Sequence, residues 1–163
     1  VSDMVWTTQP GGERMDHFIK RLEAFGRDLF GDRFHLEAEI AVRKATWSDP
    51  GKMRDLFLVA KEALNNSAKY AAATKVRVRL SRESQFWVLL VEDNGAGFDP
   101  IKEARGGGNG LRNMRMRCRA AGGKLELHAQ PGSGTRILAH FPEGRSFHLS
   151  GLRQRVQRRK HGL

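Results

Sequence analysis

Val91-Glu92-Asp93-Asn94-Gly95-Ala96-Gly97-Phe98, followed ten residues later by Gly108-Asn109-Gly110-Leu111, is the stretch on which the reading of this chain turns. The run Phe86-Trp87-Val88-Leu89-Leu90-Val91 just before it is apolar at every position. That pattern belongs to a central strand buried on both faces, so the chain delivers Asp93 from the interior into a glycine-hinged loop. An ionised Asp accepts hydrogen bonds and donates none, which suits an exocyclic amino group such as adenine N6. Gly95 and Gly97 permit positive φ and a close backbone approach to a flat base. Taken alone, the same residues also spell a tight Asp-Asn-Gly hairpin turn.

Upstream, Arg54 to Tyr70 reads Arg-Asp-Leu-Phe-Leu-Val-Ala-Lys-Glu-Ala-Leu-Asn-Asn-Ser-Ala-Lys-Tyr. Met53, Leu56, Phe57, Ala60, Ala63, Leu64 and Ser67-Ala68 recur at helical spacing and predict an amphipathic helix. At about 100° per residue, Glu62, Asn66, Lys69 and Tyr70 share an arc of roughly 100° beside the apolar stripe. A carboxylate one turn before an amide, with an ammonium one turn later, can supply a base, a Mg²⁺ ligand and a phosphate partner. The bland alternative is a solvated face with a favourable Glu62 spacing. Asn65-Asn66 argues against it, because adjacent asparagines are poor helix formers where Ala or Glu would serve.

The boxes Glu62-x-x-x-Asn66, Asp93-x-Gly95-x-Gly97, Gly108-x-Gly110-Leu111 and Gly134-Thr135, in that order, resemble those of the GHKL superfamily of ATPases and kinases. Lys-Glu-Ala-Leu-Asn-Asn-Ser-Ala-Lys-Tyr and Gly-Asn-Gly-Leu-Arg-Asn-Met-Arg most resemble the short-lid sensor histidine kinases that work with helix-turn-helix response regulators. The similarity runs from about Val1 to Pro142. It implies ATP and Mg²⁺ as cofactors, with Asn66 as the Mg²⁺-holding amide and Glu62 as general base. Asp93 would read adenine, and Thr135 would reach adenine through water. Gly95 and Gly97 look like the first glycine box, and Gly108, Gly110 and Leu111 like the second. Lys69 and Tyr70 match phosphate-side positions, with tyrosine standing where histidine is commoner in the subfamily.

The 163 residues, 39% of them hydrophobic, suffice for one compact core. The longest apolar run is too short to span a bilayer, and the N-terminus lacks the plan of a signal peptide. The expectation is a cytoplasmic domain whose full-length protein is anchored, if at all, in the inner membrane by a segment outside this sequence. The net charge of +11 is concentrated: residues 101–127 hold seven basic and two acidic side chains, and residues 145–163 six basic and none acidic. The remainder is neutral. Arg105, Arg112, Arg115, Arg117 and Arg119 follow the second glycine box into a helix whose backbone N–H groups can cradle a triphosphate, with one or two of the arginines expected near it. Cys118 stands alone among arginines, so the chain has no intrachain disulfide; positive neighbours activate a thiol, whereas a buried helix position leaves it inert.

Period and breakers predict a helix over 13–30 after Pro10-Gly11-Gly12, then a strand alternating through Phe34, Leu36, Ala38, Ile40 and Val42. The Asn66 helix follows Ser48-Asp49-Pro50-Gly51, strands follow around 76–80 and 86–91, and a helix spans 111–121. A final hairpin pairs 125–129 with 135–141 across Pro131-Gly132-Ser133-Gly134. Three helices on one face of a mixed five-stranded sheet make a two-layer α/β sandwich, which is also the Bergerat-type fold that the resemblance implies. The domain plan is residues 1–12 as the segment after an acceptor domain, 13–143 as the ATPase-like domain, and 144–163 as a basic tail.

None of His17, His35, His128, His140, His148 or His161 begins the His-Asp/Glu pattern of the family's acceptor helix. The resemblance therefore implies donation of the γ-phosphoryl group to a histidine on a dimerisation domain outside this chain, and onward transfer to a response regulator. A homodimer is expected only of the full-length kinase. Two other readings share the boxes, a hydrolase of the gyrase or chaperone type and a partner-switching serine kinase. A basic nucleic-acid-binding module is a third, supported by charge alone, since Trp6, Trp47 and Trp87 are scattered and no recognition motif is visible.

Overall fold

The structure, a computed structural model, describes residues 12–106 and 108–144. The segment assigned to 1–12, save Gly12, and the basic tail, save Gly144, lie outside the described residues, as does Gly107 of the hinge. Within them, a five-stranded sheet carries its helices on one face, the expected two-layer class.

The chain enters through a strand, not a helix. Glu13–Arg14 (β1) pairs antiparallel with Thr46–Trp47 (β3), and Met15 N–H extends the ribbon to Ala45 O at 2.9 Å. The helix expected from residue 13 therefore starts at Met15, and α1 (Met15–Phe30) buries Met15, Phe18, Ile19 and Leu22 at the expected spacing. It ends at Gly31, whose φ of +57° lies in the positive region that glycine adopts without strain.

β2 covers Phe34–Ala38 only, and the alternation that continued through Ile40 and Val42 ends in a helix. Pairing with the strand Val76–Glu83 (β4) stops at Ala38 opposite Leu80. Beyond it, Arg43 N–H donates to Glu39 O at 3.0 Å and Ile40–Lys44 winds into α2. That turn still buries Val42 in the core and leaves Ile40 exposed. A period of two and a single helical turn place one such residue equally well, and leaving the sheet edge decided between them.

α3 (Pro50–Asn66) starts where the sequence indicates. Asp49 Oδ1 accepts from Lys52 N–H at 3.0 Å and Pro50 occupies the first turn. Met53, Leu56, Phe57, Ala60, Ala63 and Leu64 are buried as expected, and α3 packs between α1 and the later helix α5 (Asn109–Ala120). Its C-terminus was not foreseen: Ser67–Ala71 loosens into a π turn and stops at Ala72, a non-glycine residue at φ +49°.

β4 (Val76–Glu83), β5 (Phe86–Asp93), β6 (Lys124–Ala129) and β7 (Thr135–Pro142) complete the sheet in the order β2-β4-β5-β7-β6, with β2 and β4 parallel and the other neighbours antiparallel. Two further helices lie between β5 and β6. α4 (Pro100–Arg105) is a short one capped by Asp99, and α5 (Asn109–Ala120) begins two residues earlier than expected. Trp47 and Trp87 are not scattered: their rings pack 5.7 Å apart in the core, with Phe141 edge-on to Trp47 at 6.4 Å.

The exit of β7 is fastened to its surroundings. Trp47 Nε1 donates to Glu143 O at 3.1 Å, and the buried Lys52 ammonium donates to Pro142 O at 3.2 Å and to Gly144 O.

Gly26 sits in the interior of α1, where Ala normally gains about 1 kcal/mol. A Cβ there would fall on the Phe34 ring, itself buried. Overpacking costs about 1–3 kcal/mol, so Gly26→Ala is expected to lower the urea midpoint despite better helix propensity. An unchanged or higher midpoint would mean that Phe34 turns aside freely.

Candidate functional site

Asp93 is the last residue of β5, only 6% exposed, and sits directly opposite Thr135 of β7 in the ladder. Both carboxylate oxygens are engaged. Oδ2 accepts from Ser67 Oγ at 2.6 Å, and Oδ1 accepts from the Gly95 backbone N–H at 2.9 Å. Each oxygen keeps a lone pair for a further donor, and their directions are fixed.

The loop after β5 is tied on three sides. Asn94 Oδ1 accepts from the N–H groups of Thr74 and Lys75 at 3.0 and 2.9 Å, Ala96 N–H donates to Ala71 O at 2.7 Å, and Gly132 N–H donates to Ala96 O at 2.6 Å. The two glycines of the first box do different work from that expected of them jointly. Gly97 does adopt positive φ, +60°, and a Cβ there would strike Gln130 O. Gly95 does not: its φ is ordinary, and it is needed because a Cβ would run into the Ala71 backbone. Its close approach is to the end of the α3 segment, and it does not line the cleft.

A cleft of about 360 Å³ opens above Asp93. Asp93, Thr135 and Ile137 form its floor, Glu62, Asn66, Lys69 and Tyr70 one wall, and Gly108, Gly110 and Leu111 the wall opposite, with Gly97 and Phe98 at the loop side. Every site residue expected from the sequence except Gly95 thus meets in one place. Tyr70, 74% exposed, stands at the rim. The two walls touch at Gly110, where a Cβ would collide with Glu62 Oε1 and lie 3.4 Å from Asn66 Nδ2. Gly110 lies in the first turn of α5, which has no side-chain cap. Uncapped N–H groups and the positive end of the helix dipole favour an anion there.

Several features escaped the sequence reading. Ser67, counted with the apolar stripe, turns its hydroxyl to Asp93; its place directly after Asn66 was the available signal. Glu103, Asn109, Phe98 and Ile137 also line the cleft. None of Arg105, Arg112, Arg115, Arg117 and Arg119 lines the cleft. Arg105 ends α4, and on α5 Arg117 donates to Asp55 Oδ1 on α3 at 3.0 Å, on the flank of the helix. Lys69 is the one cation among the described lining residues. Among the described residues no group of three or more His, Cys, Asp or Glu side chains could hold a metal alone.

A larger hollow of about 690 Å³ lies at the same end of the sheet, lined by Arg77, Glu92 and Arg136. There Arg77 Nη2 lies 2.8 Å and Arg136 Nε 3.8 Å from the two Glu92 oxygens. The motif residues converge on the smaller cleft.

Residues 51–145 match the family described as histidine kinase-, DNA gyrase B-, and HSP90-like ATPase. The chain belongs to this ATPase family. Relatives include the sensor protein VraS of Staphylococcus epidermidis, 34% identical over 59% of this chain and 27% of that protein. The sensor histidine kinase MctS of Rhizobium johnstonii is 30% identical over 88% of this chain and 36% of that protein. The chain thus spans about a third or less of the length of these relatives. The ATP-binding domain of PrrB from Mycobacterium tuberculosis shares the fold of this ATPase-family chain with a TM-score of 0.63 at 19% identity, over 81% of this chain and 96% of that one. No helix among the described residues is long and apolar enough to cross a membrane.

Cys118 takes no part in the cleft. It is fully buried on α5, and burial, with the Asp55 carboxylate second, pushes its thiol up to about 12. The thiol is therefore protonated at neutral pH and unreactive. Iodoacetamide at pH 8 is expected to leave the native protein unlabelled and to label it fully in urea; rapid native labelling would contradict the burial. Because the folded value lies above the unfolded one, this group costs stability as pH rises from about 9 towards 12.

Proposed function

We propose that this chain binds ATP with Mg²⁺ in the Asp93 cleft and acts as the phosphoryl-donating domain of a sensor histidine kinase. The acceptor histidine would lie on a dimerisation domain outside this sequence, with a response regulator downstream. The observation that carries the reading is the pairing of a buried, doubly oriented carboxylate on the cleft floor with Glu62 and Asn66 against an uncapped helix start. Such a floor accepts a hydrogen bond from an exocyclic amine, and such a helix start receives phosphates. The likeness to MctS, a sensor histidine kinase, favours a histidine kinase over a hydrolase or a serine kinase of the same family. The proposed site of action is cytoplasmic, with any membrane anchor elsewhere in the full-length protein and dimerisation a property of that protein. Residues 13–143 are the proposed domain, with a basic tail after it; the family match covers residues 51–145. Nothing in the cleft favours nucleic acid as a direct partner.

Asp93 would accept from adenine N6, with Thr135 beside it on β7. Ser67 and Gly95 keep the carboxylate from rotating, so the acceptor geometry exists before the base arrives. Asn66 would present its carbonyl to Mg²⁺, and Lys69 and Tyr70 would meet phosphate from the rim. Bound Mg²⁺ would supply charge neutralisation across the phosphate oxygens. The α5 N–H groups at Asn109, Gly110 and Leu111 would orient the phosphates, and Glu62 would take or direct the proton of the incoming imidazole.

The test is titration of ATP and ADP with and without Mg²⁺, then phosphorylation of a supplied acceptor-histidine domain. An acid-labile phosphoprotein is expected; no nucleotide binding at millimolar concentration would overturn the reading, and steady phosphate release abolished by Glu62→Gln would favour hydrolysis instead.

Asp93→Asn presents an amino group where an acceptor is required. Loss of a charged hydrogen bond implies about ten- to hundredfold weaker ATP binding with the fold intact. Equal affinity of the unaltered chain for ATP and GTP would contradict the role of Asp93.

The α3 wall is tested by separating its two groups. Asn66→Ala should leave ADP bound without metal and remove the Mg²⁺-dependent part of ATP affinity. Glu62→Gln should keep ATP affinity near normal while phosphotransfer falls by about 10²–10⁴-fold. Full Mg²⁺-dependent transfer by Asn66→Ala, or loss of ATP binding in Glu62→Gln, would reverse these assignments.

A further inference from the structure

One carboxylate in the cleft has no place in the roles assigned above. Glu103 belongs to the short helix α4, and its side chain lines the cleft between α3 and the start of α5. Its position is tight: a Cβ on Gly108, the residue that precedes α5, would lie 2.7 Å from Glu103 Oε1. The carboxylate therefore rests against the mouth of the helix. Two residues further on, Glu62 Oε1 rests against Gly110. Two negative groups thus flank the α5 start, while Lys69 is the only cation among the described lining residues. No described residue forms an ion pair or hydrogen bond with the Glu103 carboxylate.

We propose that Glu103 adds to the metal requirement of this cleft, beyond the metal contact assigned to Asn66: it opposes phosphates that arrive without a divalent cation and tolerates better those that arrive with one. The inference rests on the ATP reading and extends it to a residue outside the four motif boxes. Its basis is charge. A metal-free triphosphate carries roughly twice the negative charge of its magnesium complex, so a fixed carboxylate beside the phosphate seat acts much more strongly on the former. Glu62 contributes to the same field, but its place beside Asn66 ties it to the chemistry. Glu103 sits on a separate, six-residue helix and can lose its charge without disturbing that pair. Because Glu103 is exposed, water and salt screen its effect, which limits the size and makes it salt-dependent.

The experiment measures binding, not turnover. The unaltered chain and Glu103→Gln are titrated calorimetrically with ATP in EDTA, with ATP in excess Mg²⁺, and with adenosine. Glu103→Gln is expected to bind metal-free ATP about three- to tenfold tighter, Mg²⁺-ATP only about two- to threefold tighter, and adenosine equally, with the metal-free gain shrinking at high salt. The proposal is overturned if the ratio of metal-free to Mg²⁺-ATP affinity is the same in both proteins. It is overturned equally if adenosine gains as much as ATP, since the effect would then be an opened cleft and not a removed charge. If the unaltered chain binds ATP in neither buffer, the nucleotide reading itself falls and this inference with it; if it binds ATP in both, only the ratio decides.

Discussion

The constraint on which the site depends is the burial of one carboxylate at the end of a central strand. Asp93 cannot be left in the interior unpaired, because a desolvated charge without hydrogen bonds is prohibitively costly. Ser67 from the end of α3 and the Gly95 N–H from the following loop meet that need at 2.6 and 2.9 Å. Three separate elements, β5, the α3 terminus and the glycine loop, are thereby brought to a common point. The cleft is what remains between them.

The bond from Ser67 also explains the irregular end of α3. An α-helix continued through residues 67–71 would rotate each side chain by about 100° per residue, with no freedom to adjust. The π turn at Ser67–Ala71 and the left-handed Ala72 let the chain turn short, so that Ala71 O meets Ala96 N–H while Ser67 keeps its hold on Asp93. A helix irregularity of this kind is often found at functional sites. Here its consequence is visible in Gly95, whose missing Cβ makes room for the Ala71 backbone.

How legible this was in the sequence depended on whether the cause was local. The buried strand 86–93, the cap of α3 at Asp49 and the apolar stripe of that helix are written in residues next to one another, and their positions follow. The convergence of Glu62, Asn66, Asp93, Gly110 and Thr135 was legible through the order of the boxes. What could not be read were outcomes decided by partners distant in sequence. Ile40 and Val42 kept strand periodicity after the sheet edge had ended, and Glu13–Arg14 became a strand only because Thr46–Trp47 lies beside it. Gly95 carries the same lesson, since no spacing shows that its neighbour is Ala71 and not a ligand. The arginines of α5 raised a local expectation of phosphate contact that helix geometry does not meet.

The fastening of Glu143 and Gly144 by Trp47 and Lys52 has a mechanical meaning. Phe86 pairs with Pro142 at one end of the β5–β7 ladder, and Asp93 with Thr135 at the other, seven residues apart on each strand. At about 3.3 Å per residue, the two ends stand roughly 20 Å from one another. The β1–β3 ribbon is joined to the first end through Trp47, so the chain enters and leaves the described body at one corner. A pull or twist applied there loads antiparallel strands and a Trp-Lys clasp before it reaches the Asp93 end. The corner at which the described chain is fastened and the cleft thus stand at opposite ends of one ladder.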